Sequence, residues 1–88
     1  MLNVLLKSGF YEILKIIKDE GEIPPSKIVE KIGKGSETTL YRRFDELKKL
    51  NIIDEKVGIN KETGRPVKFY YLTSLGLQII KKLEELED

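Results

Sequence analysis

The spacing of apolar residues changes from a helical to a strand-like period at Asn51, and this change limits the folds open to the chain. Before Asn51, apolar side chains recur every three or four residues, as in amphipathic helices. After it, "IIDEKVGI" and "RPVKFYYLT" alternate with the two-residue period of strands, and the turn residues "NKETG" separate them. Helical spacing returns after Thr73. The sequence therefore predicts a mostly α-helical α+β domain that contains one β-hairpin.

Two short helices are predicted first, separated by glycine and proline. The first spans about residues 8–20 and ends at Gly21, and Ile23 in the following "EIPPS" is expected to form a short extended segment. The second occupies "PSKIVEKIG" and ends at Gly33. The residues expected to face inward from these helices are Phe10, Ile13, Leu14, Ile17, Ile28, Val29 and Ile32.

The third predicted helix, in "GSETTLYRRFDELKKLN", combines an apolar face with an outer face of small polar residues. Ser36 is suited to cap its start, and Asn51 to adopt the left-handed conformation beyond its end. A helical wheel places Phe44 and Leu47 within about 40° of Leu40, so these three side chains are expected in the core. The opposite face carries Thr38, Arg42, Asp45 and Lys49, with Thr39 at its margin and Tyr41 and Arg43 on its flanks. Hydroxyl groups and an arginine in the first turns suit insertion into a narrow polar space.

The hairpin is followed by a fourth predicted helix. Gly64 supplies a positive φ in the turn, and Pro66 indicates an edge position near the hairpin tip. Val67, Phe69 and Tyr71 are expected on one face of the second strand. Thr73 or Ser74 should cap the last helix, whose predicted apolar side consists of Leu75, Ile79, Leu83 and Leu86, while Leu77 points elsewhere.

Positive charge is concentrated in the middle of the chain. The net charge is only +1, but residues 24–73 hold eleven basic against seven acidic residues, which gives +4. Residues 1–23 sum to −1 and residues 74–88 to −2. This distribution fits either a surface for a polyanion or chance scatter in a chain of which 35% is charged.

The order of helix, helix, helix, β-hairpin and helix is that of a winged helix-turn-helix domain. "GSETTLYRRFDELKKLNII" resembles the recognition-helix segment of MarR- and ArsR-type winged-helix transcriptional regulators. "GRPVKFYYLTSLG" resembles the end of their wing, and "YLTSLG" is similar to their Y-x-L-T-x-x-G junction. The resemblance covers about residues 9–86 and points to a small single-domain archaeal type. It lacks the long terminal helices of MarR proteins, which leaves open how the chain dimerises and whether a ligand pocket exists there.

The third helix and the hairpin tip carry the residues predicted to bind double-stranded DNA. An α-helix fits the major groove, where Arg42 is the best candidate for a bidentate contact with guanine. Thr38 and Thr39 offer hydroxyl and methyl groups to base edges, and the others are expected at phosphates or in the adjacent minor groove. The full set is Lys34, Ser36, Thr38, Thr39, Tyr41, Arg42, Arg43, Lys61 and Arg65.

Some basic and aromatic residues have simpler interpretations. Tyr41 is as well suited to packing on the second helix as to contacting a phosphate. Lys48 and Lys49 are expected to be solvent exposed and favourable to the helix dipole. Lys56 and Lys68 are expected to protect the edges of the hairpin rather than bind a ligand.

Apolar residues outside the predicted core indicate self-association. Eighty-eight residues form one domain, 1–88, with a modest core. We expect a homodimer formed by the apolar segment 1–7 with the first helix and the last helix, 74–88, with two recognition helices in successive major grooves. The predicted interface residues are Leu2, Leu5, Leu6, Ile16, Leu77 and Ile80.

The composition excludes several kinds of chemistry. The chain has no cysteine and no histidine, which removes disulfides, thiolate nucleophiles, imidazole bases and the usual zinc ligands. "GKGS" at 33–36 lacks the upstream glycine of a P-loop and joins two predicted helices. We therefore expect no enzymatic activity, no cofactor and no metal. No apolar run or leader pattern suggests a membrane or secreted protein, so a cytoplasmic location is expected, and the Lys, Glu and Ile content favours a thermophilic source.

Together these expectations describe a regulator that binds specific duplex DNA and represses transcription by covering a promoter; whether it has a small-molecule effector is left open. The alternative is a winged-helix protein-interaction module of a transcription or assembly complex. That alternative favours an apolar or acidic outer face on the third helix. Single-stranded DNA or RNA is a weaker alternative, since no exposed aromatic platform is evident.

Overall fold

The computed structural model describes residues 9–87, and the predicted interface residues Leu2, Leu5 and Leu6 lie outside this range. Four helices and one antiparallel hairpin follow one another in the predicted order. They are α1 (Phe10–Glu20), α2 (Pro25–Ile32), α3 (Glu37–Lys49), β1 (Ile53–Ile59), β2 (Pro66–Leu72) and α4 (Ser74–Glu87). No helix in this range is long and apolar enough to cross a membrane.

One core holds the four helices and the base of the hairpin together. Leu40, Phe44 and Leu47 of α3 are buried, as the helical wheel predicted. Val29 and Ile32, which were also expected inside, are only partly buried and pack at the edge of this core. The buried residues are Phe10, Ile13, Leu14, Ile17, Ile23, Ile28, Leu40, Phe44, Leu47, Ile52, Ile53, Tyr70, Ile79, Ile80 and Leu83.

The hairpin is anchored at its base and exposed at its tip. β1 and β2 pair in a register that runs from Ile53↔Leu72 to Ile59↔Pro66. Ile23 adds the predicted extended segment beside β2, because its N–H donates to the Tyr70 carbonyl (3.1 Å) and its own carbonyl accepts from Tyr70 N–H (2.9 Å). Tyr70 is therefore the buried residue of β2, while Val67, Phe69 and Tyr71 form the opposite, half-buried face.

The inward face of α4 differs from the prediction. Leu75 and Leu86 were expected in the core, yet they are 42% and 57% exposed. Ile80, expected in a dimer interface, is 1% exposed and belongs to the core of the monomer. The prediction was wrong because the helix is rotated so that Gly76 faces the chain at Ile52. A Cβ atom at Gly76 would lie only 2.1 Å from the Ile52 carbonyl oxygen.

The start of α4 fixes this rotation. Thr73 caps the helix, since its Oγ1 accepts a hydrogen bond from Gly76 N–H (3.0 Å). The same hydroxyl lies 2.6 Å from the Asn51 carbonyl oxygen and 3.0 Å from that of Ile52. Thr73 N–H also donates to the Ile52 carbonyl (3.1 Å). The first turn of α4 is thus held against the segment that joins α3 to β1.

Gly76→Ala should destabilise the protein, although alanine is the better helix former by about 1 kcal/mol. The added methyl group would meet the Ile52 carbonyl, and we expect a loss of about 1–3 kcal/mol, which is typical of overpacking. Urea unfolding followed by circular dichroism measures the free energy of unfolding. The matched control is Gln78→Ala on the exposed side of α4, which should change stability by less than about 0.5 kcal/mol. A Gly76→Ala protein as stable as the wild type would contradict the proposed close contact.

Candidate nucleic-acid interface

The turn before α3 presents the start of this helix to solvent. Gly33 ends α2 with φ 66°, Gly35 has φ 85°, and Ser36 then takes an extended conformation at the N-cap. The Ser36 hydroxyl accepts a long hydrogen bond (3.4 Å) from Thr39 N–H, so the predicted cap is confirmed. At the other end, Asn51 has the predicted left-handed conformation with φ 63°.

The outer face of α3 is polar and exposed. Glu37, Thr38, Tyr41, Arg42 and Asp45 line one shallow depression on it. The Tyr41 ring meets the ring of Phe44 edge-on, with centroids 5.3 Å apart, and remains exposed. Its packing partner is therefore on its own helix, and the ring also borders the outer face.

A second depression adjoins the N-terminal half of α3. It is lined by Gly9, Glu12, Ile32, Lys34, Gly35, Ser36, Thr39, Leu40 and Arg43. Arg43 is half-buried, and its Nη1 lies 3.6 Å from the position that a Cβ atom at Gly9 would take. The structure thus brings together four predicted residues, Lys34, Ser36, Thr39 and Arg43, beside the start of α1.

The remaining two predicted residues lie at the hairpin tip. Lys61 and Arg65 are exposed in a turn in which Gly64 has the predicted positive φ, 72°. Asn60 shapes this turn: its N–H donates to the Arg65 carbonyl (2.9 Å), and its carbonyl accepts from Gly64 N–H (2.7 Å). Both cations are therefore presented by a defined loop at the far end of the hairpin from the core.

Within residues 9–87, the cations divide into a paired and an unpaired group. Seven lysines form ion pairs: Lys18 with Glu84, Lys27 with Glu30, Lys31 with Glu20, Lys48 and Lys68 with Glu55, Lys56 with Glu22, and Lys82 with Glu85. No ion pair is found in this range for Lys15, Lys34, Arg42, Arg43, Lys49, Lys61, Arg65 and Lys81. All but Lys15 and Lys81 lie on α3, in the turn before it, or at the hairpin tip.

This division bears on the predictions for individual lysines. Lys56 and Lys68, which the sequence assigned to the hairpin edges, are engaged with acidic partners. Lys48 was expected to be an ordinary exposed residue, but it is paired with Glu55 across the gap between α3 and β1. Sequence reasoning missed this contact because α3 and β1 are placed by packing, and charge spacing on one helix carries no information about a neighbouring strand.

Glu55 is the centre of a cluster between α3 and the hairpin. It accepts from Lys48 Nζ and lies 3.2 Å from Lys68 Nζ, and Lys48 Nζ lies 6.0 Å from the centre of the Tyr70 ring. The hydrogen bond from Lys48 is the main cause that lowers the pKa of Glu55, and the same bond raises the pKa of Lys48. Burial raises the pKa of the Tyr70 hydroxyl, so the ring stays neutral.

The cluster should make stability depend on pH on the acidic side. A carboxyl group whose pKa is lowered in the folded state stabilises the fold above its unfolded pKa, 4.5 for Glu55. That contribution is lost as the pH falls through the lower folded value. We expect the melting temperature of the wild type to exceed that of Glu55→Gln by a constant margin at pH 6–9. This margin should shrink below about pH 4.5. Melting curves at each pH check this, with Glu30→Gln, from an exposed pair within α2, as the control with a smaller margin. A margin independent of pH down to pH 3 would contradict the role given to the Glu55 carboxylate.

The predicted dimer residues fall into different environments. Leu77 is exposed, Ile16 is half-buried against the core, and Ile80 is inside it. Leu75, which the sequence did not assign to an interface, borders a groove on α4 that is lined by Leu75, Gln78, Ile79, Lys81, Lys82 and Glu85. Gly76 in "TSLGLQII" was the available signal, because a glycine in a helix marks a close approach and so indicates which side faces inward.

Groups of three or more side chains suited to metal binding are absent from residues 9–87. Buried polar side chains are likewise absent from that range. The candidate residues on α3, in the turn before it and at the hairpin tip are thus mostly exposed side chains.

Comparison with known proteins gives an answer at the level of structure only. The sequence matches no protein-family model. It also matches no curated protein. Solved structures do match, and a PadR-like transcriptional regulator from Bacillus cereus gives a TM-score of 0.79 at 22% identity, over 92% of this chain and 82% of that chain. The fold is a winged helix.

Two further winged-helix structures show the range of the similarity. The reduced form of the transcriptional regulator YodB from B. subtilis gives a TM-score of 0.74 at 24% identity, over 91% of this chain and 72% of that one. A mutant MarR from E. coli complexed with operator DNA gives 0.70 at 20% identity, over 86% of this chain and 51% of that one. The present chain thus spans about half the length of MarR. These identities do not separate MarR-type from PadR-like regulators.

Proposed function

We propose that this winged-helix protein is a transcriptional regulator that binds specific double-stranded DNA, as a homodimer and as a repressor in the cytoplasm. The observation that carries the proposal is the position of the unpaired cations. On the rest of the described surface nearly every lysine has an acidic partner, whereas the outer face of α3, the turn before it and the hairpin tip keep their cations available. Binding to DNA phosphates releases counterions and needs such unpaired cations.

In the proposed complex, α3 lies in the major groove. Leu40, Phe44 and Leu47 hold the helix from behind, so its exposed side is free to face base edges. Arg42 is placed for a bidentate contact with guanine, and Thr38 for a contact with a neighbouring base. Both side chains are exposed on the same depression.

Phosphate contacts are proposed on either side of the helix. Lys34, Ser36 and Arg43 border the depression at the start of α3, where free backbone N–H groups also favour an anion. Lys61 and Arg65 at the hairpin tip are proposed to reach the adjacent minor groove or its phosphates. MarR, one of the structural neighbours, was solved with operator DNA, which supports a duplex as the ligand class.

Sequence reading by Arg42 is tested with purified protein, random duplex DNA and the DNA upstream of its own gene, over a salt series. Wild type should prefer the upstream DNA, and its affinity should fall steeply with salt. Arg42→Ala should lose about 1–3 kcal/mol of that preference, which is the usual contribution of a bidentate contact with a base. Fluorescence anisotropy measures both affinities.

The control for Arg42→Ala is Lys15→Ala, which removes an exposed cation of α1 that has no ion pair within residues 9–87. This variant should bind both duplexes as the wild type does. Absence of duplex binding at low salt would overturn the proposal and favour the protein-interaction module. Binding without preference, unchanged by Arg42→Ala, would leave a duplex-binding protein but contradict sequence reading by α3.

The dimer is proposed to form through α4 and the N-terminal segment 1–7. Leu75 and Leu86, exposed leucines at opposite ends of α4, lie within about 20° of each other on the helical wheel, and Leu77 is exposed on another side of the helix. Exposed leucines on one helix commonly mark a protein interface. A two-fold dimer would present two copies of α3 to grooves about 34 Å apart. Such a dimer represses most simply by covering promoter DNA.

Sedimentation velocity tests the dimer. The wild type should sediment with the mass of two 10.2 kDa chains and dissociate on dilution. Leu75→Glu should shift the protein to the monomer, because a carboxylate would be buried in the interface. Val57→Glu, on the exposed part of the hairpin, is the control and should leave the dimer intact. A monomer mass for the wild type at all concentrations would contradict the proposed dimer.

A further inference from the structure

The hairpin has two faces, and only one of them is turned towards α3. Strand residues that are paired across β1 and β2 share a face, so Glu55 and Tyr70 lie on one face together with Val57 and Lys68. Tyr70 packs edge-on against Phe44 of α3, with ring centroids 5.5 Å apart. This is therefore the face towards α3, and we call it the inner face of the hairpin.

Two cations lie at the inner face, Lys68 on β2 and Lys48 on α3, and one carboxylate is in contact with both. Glu55 is in contact with Lys48 in the last turn of α3 and with Lys68 on β2. The three side chains are 27%, 31% and 48% exposed for Glu55, Lys48 and Lys68, so solvent and ligand can reach them.

The position of the cluster gives it a consequence for binding. Glu55 lies on β1 and contacts Lys48 of α3. The proposed DNA contacts lie on α3 and at the hairpin tip. Arg42 is on the outer face of α3, and Arg65 is at the hairpin tip. Lys48 is one helical turn beyond Asp45, which borders the same depression as Arg42, and Lys68 follows Arg65 by three residues, so both lysines adjoin residues that the proposed complex uses.

We propose that Glu55 is a specificity-determining residue, which keeps Lys48 and Lys68 from binding DNA phosphates and so limits sequence-independent affinity. The inference rests on the proposed function and goes beyond it. Phosphate contacts strengthen binding to every sequence alike, while base contacts supply the preference. Withholding two cations thus lowers the affinity for random DNA relative to the affinity for a specific site. The remaining surface of the inner face at the hairpin tip, Val57, Ile59 and Pro66, is uncharged and exposed.

The opposite face of the hairpin provides a matched control. Lys56 is paired across from Phe69, so it lies on the outer face, and it forms an ion pair with Glu22 from the segment between α1 and α2. Glu22→Gln and Glu55→Gln change the net charge by the same amount. Glu22→Gln removes the acidic partner of Lys56 on the outer face of the hairpin. Glu55→Gln removes the acidic partner of Lys68 on the inner face and of Lys48 on α3.

The experiment measures the dependence of duplex affinity on salt for the wild type and these variants. Each phosphate contact adds about 0.9 to the slope of log affinity against log salt, so Glu55→Gln should steepen the slope by up to about 1.8 per chain. Its affinity for random duplex at low salt should rise, and its preference for the upstream DNA should fall. Glu22→Gln should leave slope and preference unchanged. Circular dichroism confirms that both variants are folded.

A second pair of variants tests the inference in a protein that keeps Glu55. Lys68→Gln should leave the slope unchanged, because Glu55 already engages this lysine. Arg65→Gln, from the same hairpin, should reduce the slope by about 0.9, because it removes an available cation. When Lys68→Gln is added to Glu55→Gln, about half of the increase in salt slope caused by Glu55→Gln should be lost. This double-mutant comparison distinguishes the contribution of Lys68 from that of Lys48.

The outcomes separate this inference from the proposed function. No binding of duplex DNA by the wild type would overturn both. Wild-type binding with an unchanged slope in Glu55→Gln would overturn the inference alone, as would an equal steepening in Glu22→Gln, which would show an effect of net charge. A loss of slope in Lys68→Gln as large as that in Arg65→Gln would also overturn it, because Lys68 would then be in use.

Discussion

The contact between Phe44 and Tyr70 is the interaction on which the rest of the structure depends. Phe44 is fully buried in α3, and its ring meets the Tyr70 ring of β2 edge-on. Edge-to-face packing of this kind contributes about 0.5–1.5 kcal/mol beyond the area buried. Tyr70 is held in turn by backbone hydrogen bonds to Ile23. One pair of rings therefore joins α3, the hairpin and the segment between α1 and α2.

This contact also explains how so small a domain can fix the orientation of the hairpin relative to α3. The hairpin has only two strands, and a two-stranded hairpin is marginally stable alone. Its base is stabilised because Ile53 and Tyr70 enter the helical core. The tip extends beyond that core, and its cations are presented by a turn with its own hydrogen bonds. The orientation of the wing relative to α3 is thus set by buried apolar contacts, to which the ion pairs of Glu55 add at the surface.

Charge is organised on a different principle from packing. The total charge of +1 gives no indication of a polyanion as partner. Acidic side chains form ion pairs with most lysines elsewhere on the described surface. Unpaired cations therefore remain mainly on α3, in the turn before it and at the hairpin tip. Exposed ion pairs contribute little to stability, typically below about 1 kcal/mol. Their arrangement has more effect on which cations remain available to a ligand than on whether the chain folds.

The secondary structure could be read from the sequence because it depends on local rules. The change of apolar period at Asn51, the capping residue Ser36 and the glycines at helix ends act within a few residues of where they stand. The helical wheel identified the buried side of α3 correctly, because Leu40, Phe44 and Leu47 define only one apolar side of this helix. In the last helix the predicted apolar side was right for Ile79 and Leu83, which are buried, and wrong for Leu75 and Leu86, which are exposed.

The sequence by itself determined the elements, their order and the polar residues that the outer face of α3 exposes. Only the tertiary structure decided the rotation of α4, which follows from the approach of Gly76 to the Ile52 carbonyl. It likewise decided that Glu55 holds Lys48 and Lys68 together. The physical reason is the same in both cases. Periodicity reports contacts within one element, whereas a close backbone approach or an ion pair between elements exists only once packing has placed them side by side.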